Sequence, residues 1–94
     1  MNYQKIILIG NATKDANRKT SKKGDVAYTT FGLGVNDTKE HATFFDVRVF
    51  GNHGEAVAKY VTKGREVFVE GRIEVSKDGR FTVVANRVLF GTLG

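Results

Sequence analysis

Apolar and polar residues alternate along most of the chain, the pattern of strands with one buried and one exposed face. The opening run Ile6-Ile7-Leu8-Ile9 departs from it by being continuously apolar before Gly10-Asn11. Such a run predicts a first strand covered on both faces, as where a strand also meets a second subunit. From Tyr28 to Val35, the residues Phe31, Leu33 and Val35 fall on one face; Tyr28, Thr30, Gly32 and Gly34 fall on the other. Glycines on an outer face permit strong coiling. Phe44 to Phe50 repeats the pattern, with Phe45, Val47 and Val49 opposed to Phe44, Asp46, Arg48 and Phe50. The period then changes: Ala56, Val57, Tyr60 and Val61 give one short amphipathic helix. Asn52 is placed to cap it, with Glu55 three residues on as in a capping box, and Gly64 to end it. Glu66 to Val75 predicts a fourth strand interrupted at Gly71, a bulge position. Lys77-Asp78-Gly79 turns the chain, and Arg80 to Phe90 returns as the fifth. Between these elements, Thr13 to Asp25 reads as a long basic mobile loop and Asn36 to Thr43 as a polar finger.

Five strands with one helix between the third and fourth describe an all-β fold, the five-stranded OB barrel. Residues 1–94 form a single domain, without repeat, linker or low-complexity tract. No apolar segment approaches the length of a signal core or a membrane span, so an intracellular location is expected.

Charge and chemistry narrow the function. Fifteen Lys and Arg against ten Asp and Glu leave a net charge of +5, which makes an acidic partner the first expectation. The sequence has no cysteine, which excludes disulfides, thiolate metal sites and a cysteine nucleophile. His41 and His53 lie in no metal-ligand spacing, and no nucleophile elbow, Walker loop or dinucleotide fingerprint occurs. Neither catalysis nor a cofactor or metal is expected.

The third strand carries the informative feature. Phe44 and Phe50 lie opposite Val47 and Val49 and flank Arg48, so they leave an exposed aromatic face that a ligand or subunit must cover. Single-stranded nucleic acid suits that face: bases stack on aromatic rings at about 1–3 kcal/mol each while cations hold the phosphates. Phe68, out of phase with Val67 and Val69, joins the stacking candidates, as do Tyr28 and Phe81. Arg48, Arg72, Lys77, Arg80 and Lys39 are the phosphate candidates near these strands. Arg18, Lys22 and Lys23 belong with Lys14 and Lys19 to the basic loop, which reads either as a solvated connection or as an arm on phosphates.

Four segments, in order, resemble the bacterial-type single-stranded DNA-binding proteins. They are Lys5 to Asn11; Phe31-Gly32-Leu33-Gly34-Val35-Asn36; Phe44-Phe45-Asp46-Val47-Arg48-Val49-Phe50-Gly51; and Ala56 to Gly64 continuing through Val67 to Arg72. The resemblance implies a homotetramer, or a dimer in some relatives. It wraps single-stranded DNA with little sequence preference in replication, recombination and repair, in the nucleoid-associated cytoplasm. It puts Phe44 where the family usually has a stacking tryptophan and Phe50 where it has a stacking phenylalanine. It also implies an oligomer contact on the opening segment, Tyr3, Lys5, Ile7 and Ile9. The family's further tryptophans, in the finger near Asp37 or Thr38 and in the last hairpin, have no counterpart here, which implies fewer stacking anchors. Beyond Phe90 there is no acidic tail of the kind through which the family recruits replication proteins, so recruitment by that route is not expected. A primosome-type relative on the same fold and a protein-interaction barrel with its phenylalanines buried between subunits are the alternatives.

Overall fold

The computed structural model describes residues 3–21, 24, 26–36 and 41–90. Its elements are β1 (Ile6–Ala12), β2 (Asn17–Thr20), β3 (Ala27–Asn36), β4 (Ala42–Phe50), α1 (His53–Tyr60), β5 (Glu66–Val75) and β6 (Phe81–Phe90). The sheet runs β1-β5-β6-β4-β3-β2, and β1 also pairs with β3. That second pairing, Asn11 with Gly34 and Ala12 with Leu33, closes β1, β5, β6, β4 and β3 into the expected barrel. The helix lies between the third and fourth barrel strands.

Closure depends on sites where backbones approach more closely than a side chain allows. A Cβ at Gly10 would overlap the Gly34 carbonyl, where β1 leaves β5 for β3. At Gly71 a Cβ would overlap the Val84 carbonyl, and here the β5–β6 register shifts between Glu70 and Gly71. The irregularity expected at Gly71 is present, but the extra residue is on the partner strand: Glu70 pairs with Arg87 and Gly71 with Ala85, which leaves Asn86 of β6 as the bulged residue. The core is built mainly from valines, Val47, Val49, Val57, Val61, Val67, Val69, Val83 and Val88, with Leu33 and Phe31. Branched side chains suit a tightly coiled sheet, where one χ1 rotamer fills the space. Among the described residues Thr29 is the buried polar one, and its hydroxyl donates to the Gly54 carbonyl at 2.6 Å.

Three local expectations are corrected. The basic segment after Thr13 is not loop throughout: β2 pairs with β3 from Asn17↔Thr30 to Thr20↔Ala27. It is an edge strand of polar residues, and its charged side chains keep further strands from adding to the sheet. Asn52 does not cap α1 through its side chain, because it is itself helical (φ −68°, ψ −29°). Gly51, at φ 81°, makes the turn instead, and the chain enters the helix directly. The helix ends at Tyr60, before Gly64, where Val61 turns extended and buries its side chain in the core. Gly64, at φ 89°, serves the next turn and donates its N–H to the Ala12 carbonyl at 2.8 Å.

The β5–β6 hairpin turns through Ser76 to Arg80, with the Ser76 N–H on the Arg80 carbonyl at 2.9 Å and Gly79 at φ 85°. The Ser76 hydroxyl donates to the Asp78 carboxylate and holds its pKa below the usual value.

A candidate nucleic-acid interface on the outer face of β3 and β4

Alternation in β4 points Val47 and Val49 inward and leaves Phe44, Asp46, Arg48 and Phe50 outside. Phe44 is 71% exposed and Phe50 43%. Each has a partner in register on β3. Phe50 faces Tyr28, with ring centroids 5.6 Å apart and planes tilted by 40°. The Arg48 guanidinium lies 5.5 Å from the Tyr28 ring centre, so cation and aromatics form one surface. Phe44 faces Gly34, and the missing side chain gives its ring a seat: a Cβ there would stand 3.3 Å from Phe44 Cε1.

Phe81, 67% exposed at the start of β6, shares a groove of about 620 Å³ with Phe44, Asp46, Arg48 and Arg80. A neighbouring groove of about 390 Å³ is lined by Lys14, Lys19, Thr30 and again Asp46. The two therefore meet at Asp46. Together they form a shallow track that carries exposed rings and cations, with Asp78 and Asp15 also in its lining.

The remaining candidates separate. Arg80 is mostly exposed and pairs with Asp78 at 3.4 Å. Lys77 is exposed in the same hairpin. Arg72 pairs with Glu74 at 2.9 Å and lines a different hollow, with Tyr3, Gln4 and Lys5. Arg18 is tied into the fold, donating to Thr29 Oγ1 at 3.1 Å and to the Gly51 carbonyl at 3.0 Å. It stands 4.0 Å from Glu55, and its role there is to hold β2, β3 and the start of α1 together. Lys22, Lys23 and Lys39 lie outside the described residues.

Phe68 sits in register between Ile9 of β1 and Leu89 of β6, away from the groove that holds Phe44 and Phe81. With Ile7 (54% exposed), Ile9 (58%) and Leu89 (46%) it forms an apolar patch on the β1–β5–β6 face. Lys5 and Arg87 both reach Glu70 on that face, Arg87 at 4.0 Å, and the Glu70 carboxylate raises the pKa of Lys5. The two isoleucines that made the opening run continuous are thus exposed in the single chain. His53 accepts the Val88 N–H at Nε2, 3.3 Å away, and so fastens the helix start to β6.

Residues 3–89 match the profile of the single-strand binding protein family. The chain belongs to that family. A single-stranded DNA-binding protein of Clostridium tetani is 37% identical over an alignment of 99 positions covering 92% of this chain and 68% of that protein. One from Clostridium perfringens is 39% identical over 71 positions, 73% of this chain and 47% of its own length. Among solved structures, the wild-type single-stranded DNA binding protein of Thermus aquaticus superposes with a TM-score of 0.83 at 27% identity. It covers 98% of this chain, which spans 42% of the Thermus chain. As in other members of the single-strand binding protein family, the described residues form an OB barrel.

The alternation places Asp46 on the outer face of its strand, but the sequence carries no cue that brings Lys14 and Lys19 beside it. Lys19 lies on the Asn17–Thr20 strand, which carries no apolar alternation, and Lys14 precedes that strand.

Proposed function

We propose that the chain binds single-stranded DNA with little sequence preference, along the outer face of β3 and β4. The strand is held and protected during replication, recombination and repair. The observation that carries this reading is the pair of exposed rings, Phe44 and Phe81, sharing one groove with Arg48 and Arg80. Bases stack on Phe44, Phe50 and Phe81, with Tyr28 supporting Phe50. Phosphates are met by Arg48, Arg80 and Lys77 at one end of the track and by Lys14 and Lys19 at the other. No covalent step is involved, and the work of the protein is stoichiometric coverage in the nucleoid-associated cytoplasm.

The test is a titration with poly(dT) and with duplex DNA at several salt concentrations. Binding to poly(dT) is expected to exceed binding to duplex, with log affinity falling about 0.7 per neutralised phosphate for each decade of salt. Equal binding to duplex, or an affinity indifferent to salt, contradicts the reading.

We also propose that the chain is a homo-oligomer, a tetramer before a dimer, joined through Ile7, Ile9, Phe68 and Leu89. An apolar patch of this kind on a basic protein marks a contact with another protein surface. Sedimentation at micromolar concentration is expected to give a mass of several protomers, and Ile9→Asp to lower it. A monomer in both measurements rejects this assembly.

A further inference from the structure

Asp46 is the carboxylate that the two grooves share, with Asp78 lining the first and Asp15 the second. It projects from the outer face of β4 between Phe44 and Arg48, and it lines both grooves of the track. Its register partner is Gly32, so no opposing side chain on β3 covers it. Thr30 Oγ1 donates to Oδ1 at 3.3 Å; among the described residues Asp46 forms no ion pair. Arg48, the nearest cation along the strand, lies over the Tyr28 ring.

A carboxylate in this position repels a phosphate, so a strand crossing from one groove to the other presents a base there instead. It also accepts hydrogen bonds and donates none. A base edge satisfies it only with donors. Cytosine offers N4–H₂, adenine N6–H₂, and guanine N1–H with N2–H₂. Thymine places a carbonyl oxygen on each side of its single N–H, and those oxygens face the carboxylate unfavourably. An acidic side chain that accepts from cytosine N4 is an established way of reading a base edge.

We propose that Asp46 gives this single-strand binder a base preference, favouring a nucleotide with an exocyclic amine over thymine at the position where the two grooves meet. The proposal rests on the strand following the β3–β4 track. It makes Asp46 a specificity-determining residue within otherwise sequence-tolerant binding.

The experiment compares short oligo(dC) and oligo(dT), whose rings are of one size and differ mainly at the edge, on wild type and Asp46→Asn. A third probe, oligo(dC) carrying N4,N4-dimethylcytosine, removes the amine donors without any change to the protein. Asn both donates and accepts, so the variant is expected to gain affinity for both oligonucleotides, but more for dT. The dC-to-dT affinity ratio is expected to fall at least threefold. The dimethylated probe is expected to lose, on wild type, most of the advantage of dC. An unchanged ratio in Asp46→Asn, or a dimethylated probe that binds wild type as well as dC does, overturns the proposal while leaving single-strand binding intact. A folded wild-type chain that binds none of the probes overturns the function on which the proposal rests.

Discussion

Replacing Phe44 with alanine is expected to weaken binding to single-stranded DNA by about 1–3 kcal/mol, roughly five- to 150-fold. Phe44 is the most exposed ring of the β4 face at 71%, and it rests on Gly34 without entering the core. Its removal takes a stacking surface from the ligand while the barrel keeps every buried contact. Unfolding stability is therefore expected to change by no more than about 0.5 kcal/mol, the usual range for a surface substitution. Phe50→Ala differs in both respects. Its ring is 43% exposed and packs on Tyr28 at 5.6 Å, so part of its cost falls on the protein itself. A cross-strand aromatic pair contributes about 0.5–1 kcal/mol to a sheet. The double variant is expected to lose more affinity than either single change. Oligonucleotide titration beside urea unfolding separates the two effects, and unchanged affinity in the folded double variant would remove β4 from the binding face.

The largest structural effect is expected at Gly71. An alanine Cβ there would overlap the Val84 carbonyl and crowd the Ala85 backbone, and neither can swing aside as a side-chain end would. The strands must separate just where the β5–β6 register shifts. Overpacking costs about 1–3 kcal/mol, and a clash with backbone that cannot swing aside puts Gly71→Ala at the upper end of that range. Against a domain stability of about 5–15 kcal/mol, that is a large share for a barrel of 94 residues. Denaturant unfolding of Gly71→Ala is expected to show a lower midpoint with a similar slope. A loss under about 1 kcal/mol would mean that the close approach of β5 to β6 at Gly71 is not needed for closure.

The barrel was legible because its strongest cues are local. The alternation through Phe44–Phe50 gave the strand and its two faces, and Gly71 marked the place on β5 opposite which β6 carries its extra residue. The azimuth around the barrel was not legible. Period-two alternation distinguishes inside from outside, yet a closed barrel has several outer sides. Phe68 and Phe44 both point outward, but the register puts Phe68 beside Ile9 and Leu89, and a shared groove puts Phe44 with Phe81. Arg18 illustrates a second limit: its charge suggested a phosphate contact, but its partners are Thr29 and the Gly51 carbonyl. The short β2 escaped notice because an exposed edge strand needs backbone pairing and no apolar residues.

These separations make the location of the ligand directly testable. An oligonucleotide carrying 5-bromodeoxyuridine at successive positions can be photocrosslinked to the chain and the adducts mapped by mass spectrometry. Adducts are expected in peptides containing Phe44, Phe50 and Phe81. Adducts confined to peptides containing Ile9, Phe68 and Leu89 would place the strand on the opposite face and contradict the account.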